Sequence, residues 1–167
     1  ALSETQTPDG REVNFGQTLA VRDDFYGYVG TPETMYVMDE NGKLVKVSRL
    51  LEQSLAQDAR TRLEALVRLE KEGLFILPEG LDEKDILAVH TGPKEIILNL
   101  SGRFADGLAA FSREEERAAV YAMVNTLTEG TENRRVIFFF EGEQRETLAG
   151  GLDMRGAFFR NPGMVVN

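Results

Sequence analysis

The segment formed by residues 96–153 places the strongest constraint on the fold of this chain. It begins with an apolar run, I-I-L-N-L, which is typical of a buried strand, and it continues through a loop into an amphipathic helix. A second apolar run, V-I-F-F-F, follows the helix and is closed by a turn at Glu141-Gly142. Reactive side chains occur only near the end of the helix and have no evident catalytic partner. We therefore interpret the segment as one that builds a fold and presents a surface.

The composition indicates one folded domain. The chain has 167 residues, enough to bury a substantial core without metals or disulfides. An apolar fraction of 42% and 10 phenylalanines argue against disorder. The net charge is −9 and the 19 Lys and Arg residues form no basic stripe, so nucleic acid is not expected as a partner. An anionic membrane surface would also repel the chain on average.

Several kinds of site are excluded by the absence of cysteine, namely disulfides, thiolate zinc sites and thiol nucleophiles. The sequence has no run of 18 apolar residues that would predict a membrane-spanning helix. The chain starts at Ala1 without a methionine or a signal-like segment. We therefore expect any export signal or lipid anchor to lie upstream of it.

The first part of the chain is polar and rich in turn-forming residues, with scattered aromatic residues. Residues 1–34 are predicted to form an N-terminal arm with one or two short strands, ahead of a domain that spans residues 35–167. Within that domain, residues 35–47 are predicted to form a hairpin. Asn41-Gly42 is the strongest indication, because both central residues of a type I′ turn need a positive φ.

Two amphipathic helices are predicted. The first spans residues 57–71, and Gly73 is expected to supply its C-cap. The second begins after Ser112, which forms a capping box with Glu115 and so satisfies two backbone amides. Gly130 is predicted to end the second helix.

Strands are predicted at residues 85–91, 95–100 and 135–140. Residues 144–148 are expected to return as the partner of the last strand, and the tail at 157–159 and 165–166 to add an edge. The core order is therefore helix, strand, strand, helix, strand, with a hairpin before and after. This order predicts an α+β fold in which two helices pack on one face of a small mixed β-sheet.

Three motifs that occur in this order, L-N-L-S-G-R-F, V-N-T-L-T-E and V-I-F-F-F-E-G, resemble those of the GerM, or sporulation and spore germination, domain family. The resemblance covers residues 35–166, including the opening M-Y-V-M-D-E-N-G-K. The positions that carry the motifs are Ser101, Asn125, Thr126, Leu127, Thr128, Glu129 and Gly142.

The resemblance implies a non-enzymatic domain of bacterial exported proteins, often lipoproteins tethered outside the cytoplasmic membrane. It implies a fold similar to the ring-building motifs of sporulation and secretion channels, which assemble by packing a small α/β domain against its neighbour. No cofactor is implied. The implied partner is another protein or a second copy, and the membrane is reached only through an upstream lipid anchor that this chain lacks. Two features depart from the family: residues 68–73 replace a frequent Gly-Pro segment, and the arm has no counterpart.

The candidate catalytic and metal-binding residues each have a structural interpretation that we favour. His90 is the single histidine and has no evident partner, so we expect a half-buried structural role for it. The carboxylates at residues 114–116 point in different directions along a helix, where they stabilise its dipole and cannot converge on one ion. Residues 82–85 are interpreted as a solvated turn.

Asn125, Thr126, Thr128 and Glu129 lie in the last turn of the second helix and have two interpretations. Asn and Thr near a helix end usually cap carbonyls and anchor loops, and this interpretation is favoured. The alternative is that these residues form the edge of an interface. Glu129 lies at the negative end of the helix dipole, which is mildly unfavourable and has no explanation in the sequence.

The predicted strands are apolar on both faces, whereas a sheet with one wet face alternates apolar and polar residues. The second face carries Ile97, Asn99, Ile137 and Phe139, which we predict as the candidate interaction surface. The arm and the hairpin are the favoured cover, because soluble monomers usually hide such patches. A partner protein or a second copy is the alternative.

These observations lead to a first hypothesis of a non-enzymatic extracytoplasmic domain that docks a partner during cell-envelope or spore assembly. The second hypothesis is a small-molecule-binding module that holds its ligand between the sheet and the aromatic residues of the arm. An acid–base enzyme centred on His90 is the least supported hypothesis.

Overall fold

The computed structural model describes residues 30–52, 58–69, 77–131 and 134–166. The chain divides into two compact units, residues 1–32 with 50–54 and residues 33–49 with 55–167. Every site described below belongs to the second unit. The predicted arm up to residue 29 and the predicted C-cap at Gly73 lie outside the described residues.

The regular elements follow one another along the described chain in the order β1 (Gly30–Met38), β2 (Leu44–Glu52), α1 (Ala59–Arg68), β3 (Ile86–Thr91), β4 (Glu95–Leu100), α2 (Gly102–Ala109), α3 (Arg113–Leu127), β5 (Arg135–Phe140) and β6 (Ala157–Phe158). Strands β1 and β2 form a two-stranded sheet, and the other strands form a four-stranded sheet in the order β3-β4-β5-β6. That sheet is mixed, because β4 and β5 are parallel while the outer pairs are antiparallel. The predicted α+β class is confirmed.

The turn between β1 and β2 is not the predicted type I′ turn. The Gly42 N–H donates to the Asp39 carbonyl at 3.1 Å, and the Asp39 N–H donates to the Lys43 carbonyl at 2.8 Å. Gly42, with a φ of 75°, is the single residue of this turn with a positive φ. The Asp39 carboxylate accepts from the Asn41 and Lys43 N–H groups and so stabilises the turn. Asn41 itself does not have a positive φ. This pattern is that of a type I turn followed by a glycine bulge.

A turn with two positive φ angles occurs instead after β5. Glu141 has a φ of 51° and Gly142 a φ of 81°. The Phe140 N–H donates to the Glu143 carbonyl at 2.8 Å, and the Glu143 N–H donates back to the Phe140 carbonyl at 3.1 Å. The predicted turn at Glu141-Gly142 is therefore confirmed.

Both predicted helices are present. Helix α1 spans Ala59–Arg68 within the predicted range 57–71: Asp58 caps its start by accepting from the Arg60 N–H, and Leu69 caps its end. Helix α3 begins with the predicted capping box, in which Ser112 and Glu115 exchange hydrogen bonds of 3.1 and 3.0 Å. Apolar residues on one stripe of each helix are buried, as their spacing predicts.

A third helix, α2, is not predicted by the sequence pattern, because two glycines in eight residues lower the helix propensity. Ser101 starts this helix by accepting a hydrogen bond from the Phe104 N–H at 3.2 Å. Gly107 allows a close approach to the chain before β3, since a Cβ at this position would lie 2.4 Å from the Cβ of Pro78. Two helices were predicted to pack on the sheet, whereas the described chain has three, and α2 is the additional one.

One face of the four-stranded sheet is buried against helices, and burial alternates along β4 and β5. The buried residues of the two strands are Ile96, Leu98, Leu100, Val136, Phe138 and Phe140. The Phe138 ring contacts those of Phe140 and Phe158, with centroids 6.4 and 5.4 Å apart. This inner face forms the centre of the core.

The predicted return strand at residues 144–148 is wrong. Its residues are polar and have no apolar alternation, so they cannot cover the inner face. Strand β6 takes the position beside β5, with Phe158 opposite Val136, and this confirms the predicted edge at 157–159. Val165 pairs instead with Leu44 of β2 in a parallel bridge, and the Val166 N–H donates to the Leu44 carbonyl at 2.7 Å.

Candidate functional site

The second face of the four-stranded sheet, here called the outer face, carries the four residues predicted as an interaction surface. The strand register aligns His90, Ile97 and Ile137 in one row, and Ala88, Asn99 and Phe139 in the next. Ile97, Asn99, Ile137 and Phe139 are half-buried, whereas the residues that alternate with them on the inner face are buried. The structure thus brings the predicted residues together on one half-exposed, largely apolar surface.

His90 is exposed, so its predicted half-buried position is wrong. Strand β3 is an edge strand of the described sheet, and it bulges between the pairs formed by Ile86 and Ala88. The bulge leaves the Leu87 side chain 44% exposed. The outer face therefore ends at an open margin along β3 among the described residues.

Two side-chain bonds fasten the carboxyl ends of the parallel strands β4 and β5. The Asn99 Oδ1 atom accepts from the Gly142 N–H at 2.8 Å, and the Glu141 carboxylate accepts from the Gly102 N–H at 2.7 Å. These contacts give the motif position Gly142 a defined role, since it lies at the turn that Asn99 holds. Asn99 therefore has a structural function on the outer face.

Ser101, another motif position, is tied to a buried carboxylate. Its hydroxyl donates to Asp85 Oδ1 at 2.7 Å, and Arg103 lies 3.4 Å from the other oxygen of Asp85. Asp85 is 3% exposed and closes a capping box with Asp82. The predicted solvated turn at 82–85 is therefore wrong for Asp85, because two neighbouring polar groups compensate the loss of water.

A shallow groove lies at the opposite end of the outer face, where β3 turns into β4. It is lined by residues that include His90, Pro93, Lys94, Glu95, Ile97 and Arg135. Arg135 Nη2 donates to Glu95 Oε1 at 2.7 Å across the paired strands. The groove thus combines an apolar wall, formed by Pro93 and Ile97, with a basic rim, formed by His90, Lys94 and Arg135.

The last turn of α3 forms a polar cluster with β1 and the C-terminal segment. Glu129 Oε1 accepts from the Tyr36 hydroxyl and from Arg160 Nη2, both at 2.8 Å. Burial, followed by the hydrogen bond to Glu129, raises the pKa of the Tyr36 hydroxyl above its ordinary value of 10.0, so the hydroxyl stays protonated and donates. The Arg160 cation accounts for a carboxylate at the negative end of the helix dipole.

A second arginine supports the same helix end. Arg62 of α1 is 6% exposed, and its Nη1 donates to the carbonyls of Thr126 and Glu129 at 3.2 and 3.3 Å. Its Nη2 forms a buried ion pair with Glu33 of β1. Arg62 therefore joins α1, β1 and α3 through orphan carbonyls and one carboxylate.

The other motif positions on α3 contact neighbouring elements. Asn125 exchanges hydrogen bonds of 3.1 and 2.9 Å with the backbone of Asn161, and the Tyr36 N–H donates to the Thr126 hydroxyl at 3.0 Å. Thr128 donates to the Val124 carbonyl at 2.7 Å, and Leu127 lies in the core. These contacts are those of carbonyl capping and segment anchoring.

The sequence pattern does not predict the roles of Tyr36, Arg62 and Arg160. One signal was present in the sequence: α3 has no basic residue in its last turn and is followed by Glu129, so a cation from elsewhere is required. Nothing in the local pattern identifies which of the distant arginines supplies it.

A family model described as Germane, sporulation and spore germination, matches residues 34–146. The chain belongs to this family. The predicted GerM resemblance is thus confirmed, and the match includes β4, α3 and β5, which carry the motifs. A search of the curated proteins finds no match to this Germane chain.

Solved structures share the fold of this Germane domain. A candidate lipoprotein from Clostridium perfringens is 17% identical, with a TM-score of 0.52 over 89% of this chain and 99% of that one. The first GerMN domain of the sporulation protein GerM from Bacillus subtilis is 23% identical, with a TM-score of 0.53 over 78% and 98%. The tandem GerMN domains of that protein give 19% and 0.56 over 76% of this chain and 46% of theirs.

The described part of the Germane domain contains no group of three or more His, Asp or Glu residues placed to hold a metal ion. A membrane-spanning helix is also not found there, since none of its helices is both long and apolar enough.

Glu116 is a buried carboxylate of the Germane domain that the sequence interpretation did not single out among residues 114–116. It is 2% exposed, and its Oε2 atom has no hydrogen-bond partner among the described residues. Burial raises the pKa of Glu116 above its ordinary value of 4.5, although Arg113 acts in the opposite direction. Gly151 lies against it, since a Cβ at Gly151 would lie 2.9 Å from Glu116 Oε1.

We expect replacement of Glu116 by glutamine to stabilise the domain by about 1 kcal/mol at pH 8, because a neutral group is less costly to bury. The native state of the wild type retains the Glu116 proton to higher pH than the unfolded chain does. The contribution of this group is therefore largest below pH 4.5 and is lost as the pH rises through the raised native pKa. Urea denaturation between pH 4 and pH 8 measures both effects.

The exposed Glu114 is the control, and Glu114→Gln should cost about 0.3–1 kcal/mol by weakening the interaction with the helix dipole. Equal effects of the two substitutions across the pH range would show that burial of Glu116 does not affect stability.

Proposed function

We propose that this Germane domain is an interaction module of a sporulation-associated protein and docks a protein partner on its outer face. The observation that carries the proposal is the half-exposed apolar patch formed by Ile97, Ile137 and Phe139 in two adjacent rows of the outer face. The centre of a protein interface is typically apolar and depleted in charge, and its rim is polar. The outer face fits this pattern, because its charged groups, such as Lys94 and Glu95, lie at one end.

The internal contacts of the domain support a docking role. In the polar cluster, Arg62 pairs with Glu33 and Arg160 pairs with Glu129. The side chains of Asn99 and Glu141 hold the carboxyl ends of β4 and β5 through hydrogen bonds. The end of α3 and the carboxyl ends of β4 and β5 are thus fixed by side-chain contacts. A rigid, half-exposed face loses little conformational entropy on binding.

The proposed setting is extracytoplasmic, with the full-length protein anchored as a lipoprotein and the domain acting in cell-envelope or spore assembly, in the manner of ring-building motifs. The family description and the names of the similar structures, a candidate lipoprotein and the sporulation protein GerM, support this setting. The alternative of a small-molecule module depends on the arm, which lies outside the described residues up to residue 29.

A photo-crosslinking amino acid at position 139 tests the docking site in cells of the source organism. We expect a crosslinked adduct from Phe139 but none from the same probe at Asp106, which is exposed on α2. The variant Phe139→Lys, followed by a crosslinker at position 137, should lose the adduct while its circular dichroism spectrum remains that of the wild type. An adduct from position 106 alone, or one that persists in Phe139→Lys, would refute docking on the outer face.

A further inference from the structure

We propose that the groove at the end of the outer face binds an acidic segment of the partner, with a carboxylate on the basic rim and an apolar side chain on Ile97. This inference rests on the proposed docking function and adds the chemistry of the partner. It follows from the charge and the shape of the groove.

The basic rim contrasts with the chain as a whole, which has a net charge of −9. His90 and Lys94 line the groove and are exposed, and their side chains have no hydrogen-bond or ion-pair partner among the described residues. Arg135 adds a second full cation, against the single carboxylate of Glu95. An acidic ligand therefore meets attraction here, in a domain that otherwise repels it.

The Arg135 guanidinium is held in place, but only one of its nitrogens has a side-chain acceptor among the described residues. Its Nη2 atom bonds to Glu95, and its Nε atom is buried without an acceptor among the described residues. Its side chain is 42% exposed, and no described group accepts from Nη1. Glu95 thus orients a planar donor whose Nη1 has no described acceptor, an arrangement suited to a carboxylate.

The apolar wall fixes how a segment lies in the groove. Glu95 and Ile97 are two residues apart on one side of β4, a spacing of about 6.8 Å. An extended peptide has the same spacing between its alternate side chains. A carboxylate beside Lys94 and Arg135 therefore places the next side chain of that face over Ile97 and Ile137, so an acidic residue two positions from an apolar one matches the surface.

Fluorescence polarisation with two labelled nonapeptides tests this inference. One peptide carries glutamate two positions from each leucine, and the other carries glutamine in place of glutamate. We expect the purified domain to bind the glutamate peptide about tenfold more tightly, since a charge-assisted hydrogen bond is lost in the other peptide. Raising the salt concentration from about 50 to about 200 mM should reduce the difference.

Lys94→Gln should remove most of the preference for the glutamate peptide, because it removes a cation of the basic rim. The fold should be retained, since the Lys94 side chain has no partner among the described residues. Lys84→Gln, at an exposed lysine before β3, is the matched control and should retain the preference. Equal affinity for both peptides, no binding of either, or equal effects of the two lysine substitutions would overturn the inference. A crosslink at position 139 would survive these results, so the docking function and its acidic chemistry fail separately.

Discussion

Replacing Arg62 with methionine is expected to destabilise the domain by about 3–5 kcal/mol, well beyond the effect of most single substitutions. Methionine retains the buried volume but leaves the Glu33 carboxylate without its cation. It also removes the donor for the carbonyls of Thr126 and Glu129, which are orphan acceptors at the end of α3. Urea denaturation followed by circular dichroism measures the change in the free energy of unfolding.

Arg60, two residues earlier on α1, provides the control. Its side chain is 39% exposed and forms an i,i+4 ion pair with Glu64, and its Nη2 donates to the Ile86 carbonyl at 3.0 Å. Arg60→Met leaves no buried charge unpaired and should cost about 1 kcal/mol. The double variant Glu33→Gln with Arg62→Met should recover part of the loss, because the buried charge is then removed. If Arg62→Met and Arg60→Met have equal effects, the polar cluster does not stabilise the fold as described.

Phe138 and Phe139 are adjacent in the chain but lie on opposite faces of β5, and they are expected to respond very differently to truncation. Phe138→Ala should destabilise the domain by about 3–5 kcal/mol, because it empties a position between the rings of Phe140 and Phe158. Phe139→Ala should cost about 1 kcal/mol or less, since its side chain is already half-exposed.

Thermal unfolding of the two alanine variants, with partner crosslinking as a second readout, compares the faces directly. Phe139→Ala should lose association while remaining folded. If Phe139→Ala unfolds as readily as Phe138→Ala, then Phe139 belongs to the core, and the outer face is not available for docking.

Where apolar periodicity is strong, the sequence predicts the fold closely. Strand β5 matches its predicted range, and the Ser112–Glu115 capping box marks the start of α3, because both depend on neighbouring residues. Helix α2 is not predicted, because local propensity does not include the close approach of Gly107 to Pro78. The return strand fails for a related reason: β6 competes for the same edge and carries the apolar Phe158.

For the candidate site, the alternation along β4 and β5 was enough to place Ile97, Ile137 and Phe139 on one face. The exposed position of His90 was not predictable, because it follows from the edge position of β3 and its bulge. The polar cluster was also not predictable from the sequence, since Arg62 and Arg160 are 98 residues apart and come together only around the end of α3. Local patterns carry no information about such long-range pairs.

The parallel pairing of β4 with β5 has a consequence for how the chain folds during its synthesis on the ribosome. Glu95 pairs with Arg135, so β5 has no place in the sheet until the whole α2–α3 connection has been synthesised. The partner that completes its other edge, β6, emerges later still. During that interval the segment V-I-F-F-F can pair only along its β4 edge, and an uncharged apolar strand with an open edge is the kind of sequence that aggregates. Arg134 and Arg135 before it and Glu141 after it flank the strand as charged gatekeepers.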